Sequence, residues 1–600
     1  MAEENAYTLK SFTEKVIDRQ RQYEAMREPL DAKFADIIDL TQPGYTAWEG
    51  SSSYSSAYGT GIWDDGVVGK FRGQKIYDST PAWGLRTMAH GWLGSMVSET
   101  LPWFKYLFPD SELRGNDEVN AWMQRLEDAM YSVYRKSQLY EALPPYALGA
   151  LSVGSPIILP YDDVKEDRIS CEVPHPKENY HGAYDGYHRK YKIAVVDAVN
   201  RFMGGKVPDN IEDAKLSHAL LTDWRNGKHA ARHEFIRAIY RQDDPILDGQ
   251  PARMKNKPWM EFYVETPDSG ADKQVKKDPV SIGGYFTKPH IRWDYEKNTD
   301  EYYARTPSWN AIQDIKSFEE IERQKLEVGQ RNLKPTMWMQ RQYRNQFTGN
   351  PGSVVYYDSA SESQNKPEPI LDGSNWQIGD EQSKQMRKNV ERWYNTDFFL
   401  SITRLTSENT GSWPTLGQLL QLGGEKATVL GSQIGGFSNV MRQIDRRFFD
   451  IELRKGVHGA LPSPPPIIED YLAEQAALGN KNVNLALEMI GSLAQLQQRA
   501  ETLGRSDQGL MIIERYGAID PLTIRKVRLS VQMEKDLEAI RWSQEAIVPE
   551  DEYQEGLAEI AAREAEERQA AMGIEMAKAS KDVSGPVDES SVMAQIGNAA

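Results

Sequence analysis

The chain has 600 residues, of which 40% are hydrophobic and 26% charged, so it is longer than one ordinary core and is not disordered throughout. Its formal net charge of −17 argues against a protein that coats DNA, because such binding needs clustered Lys and Arg. An acidic wall could still let DNA pass without holding it. A single cysteine, Cys171, excludes an intramolecular disulfide and a four-cysteine zinc site.

The N-terminal third is predicted to be largely helical. Apolar residues recur at helical spacing over residues 8–40, and the sequence QPG then stops the pattern. A second helix begins at the capping group Asp78 to Thr80 and ends before LPWF, and residues 117–152 show helical spacing again. The first 26 residues lack the apolar core of a signal peptide, and no apolar run of about 18 residues predicts a membrane span.

The pattern changes between residues 153 and 295. SPIILPY, KYKIAVV and MEFYVET are short β-like runs separated by turn residues. Together with the helices before them, these runs predict a mixed α+β fold.

Two polar helices are predicted in the middle of the chain. Pro307 stands where a helix tolerates proline, and the apolar stripe that follows, over residues 307–328, is narrow. Residues 381–399 form the second polar helix, and residues 331–380 between the two are irregular or β-like. A polar loop follows at 403–415.

The C-terminal part is predicted to be helical. Residues 415–455 resume a helical pattern, and the stiff segment GALPSPPP interrupts it. Leu485, Met489, Leu493 and Leu496 fall at helical steps and predict an amphipathic helix. Residues 550–600 hold twelve Asp and Glu against four Lys and Arg, a net charge of −8.

No catalytic, metal or cofactor site is predicted. The sequence has no P-loop and no nucleophile elbow, which argues against a nucleotide-driven motor and an α/β-hydrolase. The best metal candidates are His175, His181, Asp185 and His188, but their spacing matches no helix face or zinc-finger pattern. Structural or surface histidines are the better interpretation, and a lone cysteine is more often a small buried side chain than a nucleophile.

Three segments resemble the portal proteins of tailed double-stranded DNA phages, most of all the head-to-tail connectors of short-tailed phages. The first is KPHIRWDYEKNTDEYYARTPSWNAIQDIKSFEEIERQKL, where Arg292-Trp293 and a turn ending in Arg305-Thr306-Pro307 precede the long helix. The second is KIYDSTPAWGLRTMAHGWLGSMVSETLPWFKY, and the third is LGSQIGGFSNVMRQIDRRFFDIELRKGVHGALPSPP. Ala304 replaces the glycine usual in that turn. The usual Thr-Ala-Thr-Glu helix start before the third segment is absent.

The resemblance implies a ring, typically of twelve subunits, with wing, stem, clip and crown regions around a central channel. It implies the following regions: wing 1–306, first stem helix 307–330, clip 331–380, second stem helix 381–402, channel loop and wing-return helix 403–436, helical crown 437–580 and disordered tail 581–600. Such a protein acts in DNA packaging and ejection at one capsid vertex. It has no enzymatic activity of its own, is made in the host cytoplasm and resides in the virion.

The implied partners are the terminase large subunit, tail adaptor proteins, major capsid and scaffold proteins, and the double-stranded DNA that passes through the channel. The candidate channel residues are Lys316, Arg323 and Lys325 on the first stem helix and Asn409, Thr410, Ser412 and Trp413 in the loop. Two alternatives stay open. One is another ring-forming virion protein of the tail or adaptor, and the other is a hydrolase with an unrecognised site between residues 153 and 295.

Overall fold

The computed structural model describes residues 11–43, 76–100, 102–110, 113, 116–208, 214–266, 278–299, 301–333, 337–338, 368–369, 376–400, 431–456, 459–477 and 485–490, with scattered positions between 509 and 574. The chain divides into two units, Met1–Gln497 and Gln498–Ala600. In the second unit the described stretches 511–515 and 569–574 are helical.

The first unit combines helices and antiparallel sheets, so the predicted α+β fold class is confirmed. Its helices are α1 Phe12–Thr41, α2 Thr80–Met96, α3 Asp117–Lys136, α4 Leu139–Ser152, α5 Val195–Met203, α6 His218–Arg225, α7 Pro307–Leu333, α8 Trp376–Trp393, α9 Thr396–Phe399, α10 Gly431–Lys455 and α11 Pro466–Ala477. Its strands are β1 Phe104–Leu107, β2 Ile157–Asp163, β3 Arg168–Glu172, β4 Asn179–His181, β5 Tyr187–Ala194, β6 Arg232–Arg241, β7 Trp259–Glu265, β8 Ser281–Tyr285, β9 Ile291–Arg292, β10 Met337–Trp338, β11 Glu368–Pro369 and β12 Ala486–Met489.

The largest sheet has the strand order β4-β5-β6-β7-β8, with every neighbouring pair antiparallel. One face is apolar and packs on α1, where Phe12, Val16 and Ile17 meet Ile236 and Phe262. Ser11 caps α1 through a capping box with Glu14, which fixes where this helix starts. Apolar side chains therefore hold α1 against this face of the sheet.

The opposite face of the same sheet carries a buried charge network. The guanidinium of Arg237 donates to Glu261 Oε1 at 2.5 Å and to Glu172 Oε2 at 3.1 Å. Its cross-strand neighbour Arg189 donates to Glu178 Oε2 at 2.7 Å and also to Glu172. Burial opposes ionisation of Glu172, yet the two arginines lower its pKa. Each charge in this network therefore has an opposite partner.

The main hydrophobic core joins distant parts of the sequence. Trp92 of α2 lies 6.4 Å from Trp293 and 6.3 Å from Phe437 of α10, measured between ring centroids. Tyr134 of α3 lies 5.1 Å from Phe448 of α10. Residues 437–455 thus share one core with residues of the predicted wing, and their assignment to the crown remains a prediction. The other regional boundaries remain predictions.

Several predicted element boundaries need correction. The second polar helix is not continuous over 381–402, because α8 starts at Trp376 and Asn395 (φ 48°) separates it from α9. Similarly, α7 extends to Leu333, so the ends of the segment 331–380 are helical. A single helix, α10, crosses the predicted boundary at residue 436.

The amphipathic helix predicted over Leu485 to Leu496 is wrong where the structure describes it. Residues Ala486–Met489 form β12, which pairs antiparallel with β1. Leu487 and Met489 are buried, while Glu488 between them is only half-buried. Apolar residues at 485, 487 and 489 also alternate with a period of two, and a short run cannot decide between the two periods. Here the pairing with β1 makes this segment a strand and not a helix.

Candidate functional site

The two polar helices α7 and α8 pack antiparallel. Near one end of the pair, Trp393 Nε1 donates to Asp314 Oδ2 at 2.7 Å. Near the other end, Lys325 Nζ donates to Ser383 Oγ at 3.2 Å and lies 3.5 Å from Asp380 Oδ1. The two predicted polar helices are therefore paired in the structure, and polar contacts fix the register of the pair.

The end of the pair where α7 begins, here called its base, is packed into the hydrophobic core. Thr306 caps α7, since its hydroxyl accepts from Trp309 N–H at 3.0 Å and donates to the Ser152 carbonyl at 2.7 Å. Ser308 donates to the Leu151 carbonyl at 2.9 Å. Burial then falls along the helix, and no side chain from 320 to 330 is buried. The half of α7 after residue 319 is thus held in place mainly by its contacts with α8 and by ion pairs within the helix.

A short segment before α2 also holds the pair. The buried carboxylate of Glu319 accepts from the backbone N–H groups of Tyr77 at 2.6 Å and Asp78 at 3.3 Å. Burial raises the pKa of Glu319, and these two hydrogen bonds oppose that rise. Asp78 also pairs with Arg387 of α8 at 2.5 Å. One segment thereby contacts both helices.

Close backbone approach fixes α2 against the end of the helix pair. A Cβ atom on Gly84 would lie 2.8 Å from the ring of Tyr394, and one on Gly91 would lie 2.4 Å from the ring of Phe399. These two glycines therefore form a notch for the aromatic residues at the end of α8 and in α9.

The three candidate cations of α7 all have carboxylate partners. Lys316 Nζ lies 2.6 Å from Asp36 Oδ2 of α1. Arg323 pairs with Glu320 at 2.5 Å and with Glu327 at 2.7 Å. Lys325 lies 3.3 Å from Glu322 Oε1 in addition to its contacts with α8. The fold thus compensates the positive charge of each residue.

The loop candidates Asn409, Thr410, Ser412 and Trp413 lie outside the described residues, as do residues 401–430 as a whole. The described chain enters this segment at Leu400, directly after α9, and leaves it at Gly431, where α10 starts. Both flanking helices join the core that holds the base of the pair. The role of the loop stays a prediction.

Sequence reasoning missed two cations on α8. Lys388 and Arg392 are exposed, and in the described part of the chain neither has a carboxylate within ion-pair distance. Their spacing of four residues puts them on one side of the helix. The signal was present in KQMRKNVER, but the sequence alone could not show which basic residues the fold would pair.

The histidine group does not form a metal site. His181 and His188 are buried, and their rings lie within hydrogen-bond distance of the Ser155 carbonyl (3.0 Å) and of Gln20 Oε1 (2.9 Å). Burial lowers the pKa of His188 to about 3 and that of His181 well below its usual value. Asp185 is exposed on a turn. Among the described residues, no three His, Cys, Asp or Glu side chains are grouped to hold a metal ion.

Cys171 is a poor nucleophile in this structure. It lies on β3 against the main core, and burial raises the pKa of its thiol to about 12. Among the helices that the structure describes, none is both long and apolar enough to cross a bilayer.

Comparison with known proteins places these elements in one family. The family described as "Bacteriophage head to tail connecting protein" matches residues 13–547. The "Portal protein" of Salmonella phage epsilon15 is 25% identical over 544 residues, covering 88% of this chain and 90% of that protein. The "Probable portal protein" of Bordetella phage BPP-1 is 23% identical over 444 residues, covering 72% and 73%. The chain belongs to the bacteriophage head to tail connecting protein family.

Proposed function

We propose that this chain is the portal subunit of a tailed phage, a virion protein that forms a ring at one capsid vertex. DNA would pass through the ring during packaging and ejection. The observation that carries the proposal is the family match over residues 13–547, which spans the helix pair and the core on both sides of it. Two relatives named as portal proteins match along most of their length.

In this proposal α7 and α8 are the stem that links two functional ends. Residues 331–380 between them would be the clip, which docks the terminase large subunit during packaging and tail adaptor proteins afterwards. The burial gradient along α7 supports a helix that leaves the body of the subunit. The wing would contact capsid and scaffold proteins, and twelve copies would close the ring.

DNA would slide because the channel holds it only weakly. Lys316, Arg323 and Lys325 are the proposed channel-side cations, and each is already paired with a carboxylate. Paired cations attract phosphate less than free ones, which suits passage better than binding. The loop 403–415 would narrow the channel. Replacing all three cations with Gln should leave the length of packaged DNA nearly unchanged in a packaging assay.

The two alternatives gain less support. A tail or adaptor ring protein would also be non-enzymatic, but both named relatives are portal proteins. A hydrolase in the 153–295 region would need a polar site, whereas His181 and His188 there are buried and hydrogen bonded to the protein itself.

Negative-stain electron microscopy and mass photometry of the purified full chain test the proposal. Rings of about twelve copies with a central hole would support it. A monomer or dimer at high concentration would contradict it. Ring formation alone also suits an adaptor, so the second test is whether capsids assembled without this chain fail to package DNA.

A further inference from the structure

The five-stranded sheet has one covered edge and one open edge. At the covered edge, β4 has three residues, all buried, and Arg27 of α1 donates to the Asn179 carbonyl at 3.0 Å. At the open edge, β8 has five residues, all half-buried, and pairs only with β7 among the strands that the structure describes. An antiparallel strand with a single partner turns every second N–H and C=O group away from that partner. The outer edge of β8 is therefore a row of backbone groups available to another strand.

The sequence of β8 lacks the usual protection against such pairing. Edge strands are commonly kept from pairing by a charged side chain, a proline or a bulge. The strand Ser281–Tyr285, SIGGY, has no charged residue and no proline, and its register with β7 runs without interruption along all five residues. Gly283 and Gly284 also lack the side chains that would hinder the approach of a second backbone. The strand is therefore a continuous template for a further strand.

An exposed aromatic ring and two cations lie at the end of this strand. Phe286, the residue after β8, is 51% exposed. The guanidinium carbon of Arg454 on α10 lies 3.7 Å from the centre of the Phe286 ring, and Lys257 Nζ lies 5.1 Å from it. Lys257 Nζ also donates to the Gly284 carbonyl at 3.0 Å, so its ammonium group lies beside the strand backbone. Together with β8, these three side chains form a surface here called the β8 edge.

The β8 edge belongs to a positively charged part of an acidic chain. Residues 251–290 hold seven Lys and Arg against five Asp and Glu, a net charge of +2 where the whole chain has −17. One of the five acids, Glu261, is buried and paired with Arg237 of the neighbouring strand. Lys257 has no carboxylate within ion-pair distance in the described part of the chain. The local charge therefore favours an acidic partner.

We propose that the β8 edge binds an extended acidic segment of another protein, which adds a sixth strand to the sheet. Main-chain hydrogen bonds to β8 would supply affinity, while Lys257 and Arg454 would select acidic side chains and Phe286 an apolar one. DNA phosphates match the charge but cannot pair with a strand edge. A second copy of β8 fits less well, because two copies of the edge would bring like charges together. The site lies on the sheet, so it requires neither the helix pair nor the ring.

The test uses a fluorescent peptide of alternating Val and Glu, about eight residues long to exceed the span of β8, added to the purified full chain. Fluorescence anisotropy should show saturable binding that weakens as salt is added, because the cations of the edge are exposed to solvent. The same peptide methylated at every backbone nitrogen keeps its charge but cannot donate to a strand. It should bind at least about tenfold more weakly, and so should a peptide of alternating Val and Lys.

Variants of the chain locate the binding site. Lys257→Glu should raise the Kd of the Val-Glu peptide about tenfold, because it places a like charge beside the strand. Phe286→Ser should raise the Kd about threefold by removing the exposed ring. The matched control is Lys206→Glu, which reverses an exposed cation in the loop after α5 and should leave the Kd unchanged. Circular dichroism checks that each variant stays folded.

Several results would overturn the assignment of the β8 edge while leaving the proposed function intact. They are an absence of saturable binding up to about 1 mM peptide, equal binding of the methylated peptide, or an unchanged Kd in Lys257→Glu. A dimer that Lys257→Glu abolishes, with no peptide binding, would assign the edge to a second copy instead. Normal peptide binding by a chain that never forms rings would support this site and contradict the proposed function.

Discussion

The five-stranded sheet and the helix pair keep their charges in opposite environments. In the sheet, Arg237 is only 6% exposed and pairs with Glu261 at 2.5 Å. In the helix pair, Arg323 is 42% exposed and bridges two exposed glutamates three and four residues away. Buried pairs are costly to break because the remaining charge is stranded, whereas exposed pairs contribute little. The difference indicates that the stability of the sheet depends on its ion pairs, whereas the stability of the helix pair depends little on the pairs of Arg323.

The largest expected effect comes from breaking the buried pair. Arg237→Met should lower the free energy of unfolding by about 3–5 kcal/mol, because Glu261 would keep a buried charge without its cation. Urea denaturation measures the change. Arg241→Met, on the same strand but in an exposed pair with Asp243, is the control and should leave the midpoint unchanged. Adding Glu261→Leu to Arg237→Met should recover most of the loss, and a further loss would contradict the account.

Asp445 is a buried carboxylate whose hydrogen-bond partners are neutral tyrosines and not a cation. Asp445 of α10 accepts hydrogen bonds from Tyr106 at 2.5 Å and Tyr134 at 2.6 Å, and burial raises its pKa to about 6. The folded state then binds a proton that the unfolded state releases between about pH 4 and pH 6, so stability falls as pH rises through that window.

Asp445→Asn removes this pH dependence, because an amide accepts the same hydrogen bonds without a charge. At pH 7 the variant should be more stable by up to about 3 kcal/mol, and at pH 4 the two proteins should be equal. Thermal unfolding at both pH values measures this. A variant that is less stable at pH 7 would show that the two tyrosines favour the carboxylate.

The attachment of the helix pair should depend on shape more than on charge. Gly91→Ala places a methyl group 2.4 Å from the ring of Phe399 and should cost about 1–3 kcal/mol by overpacking. Gly94→Ala, on the same helix with open space at its Cβ, should instead stabilise by up to about 1 kcal/mol through helix propensity. Equal effects from the two substitutions would contradict the claim that the close contact of α2 with Phe399 requires glycine at position 91.

The smallest effect is expected at an exposed ion pair. Lys316→Gln removes the contact with Asp36, in which both side chains are more than 40% exposed, and should change the free energy of unfolding by about 0.5 kcal/mol or less. Denaturant titration at low and high salt checks it. A change above about 1 kcal/mol would show that this pair resembles the buried network of the sheet.

Sequence patterns predicted the elements that are long or strongly periodic. The helix at Phe12–Thr41, the paired polar helices and the β-runs on β2, β5 and β7 all lie where their periodicity indicated. The helix across residues 485–489 failed, because a four-residue run fits either period and pairing with β1 decides it. The family resemblance was confirmed, since it rested on the order of several motifs and not on one.

The sequence by itself determined the fold class, the polar helix pair and the family, because periodicity and motif order are local properties of the chain. Tertiary structure decided which charged side chains form long-range ion pairs and which stay exposed. The pairs of Arg323 with Glu320 and Glu327 follow helical spacing and can be expected from the sequence. No local spacing indicates the partner of Lys316, which is Asp36 of α1, or shows that Lys388 and Arg392 are exposed without a carboxylate partner among the described residues. The reason is that an ion pair such as Lys316–Asp36 joins residues far apart in the chain, and only folding brings them within reach.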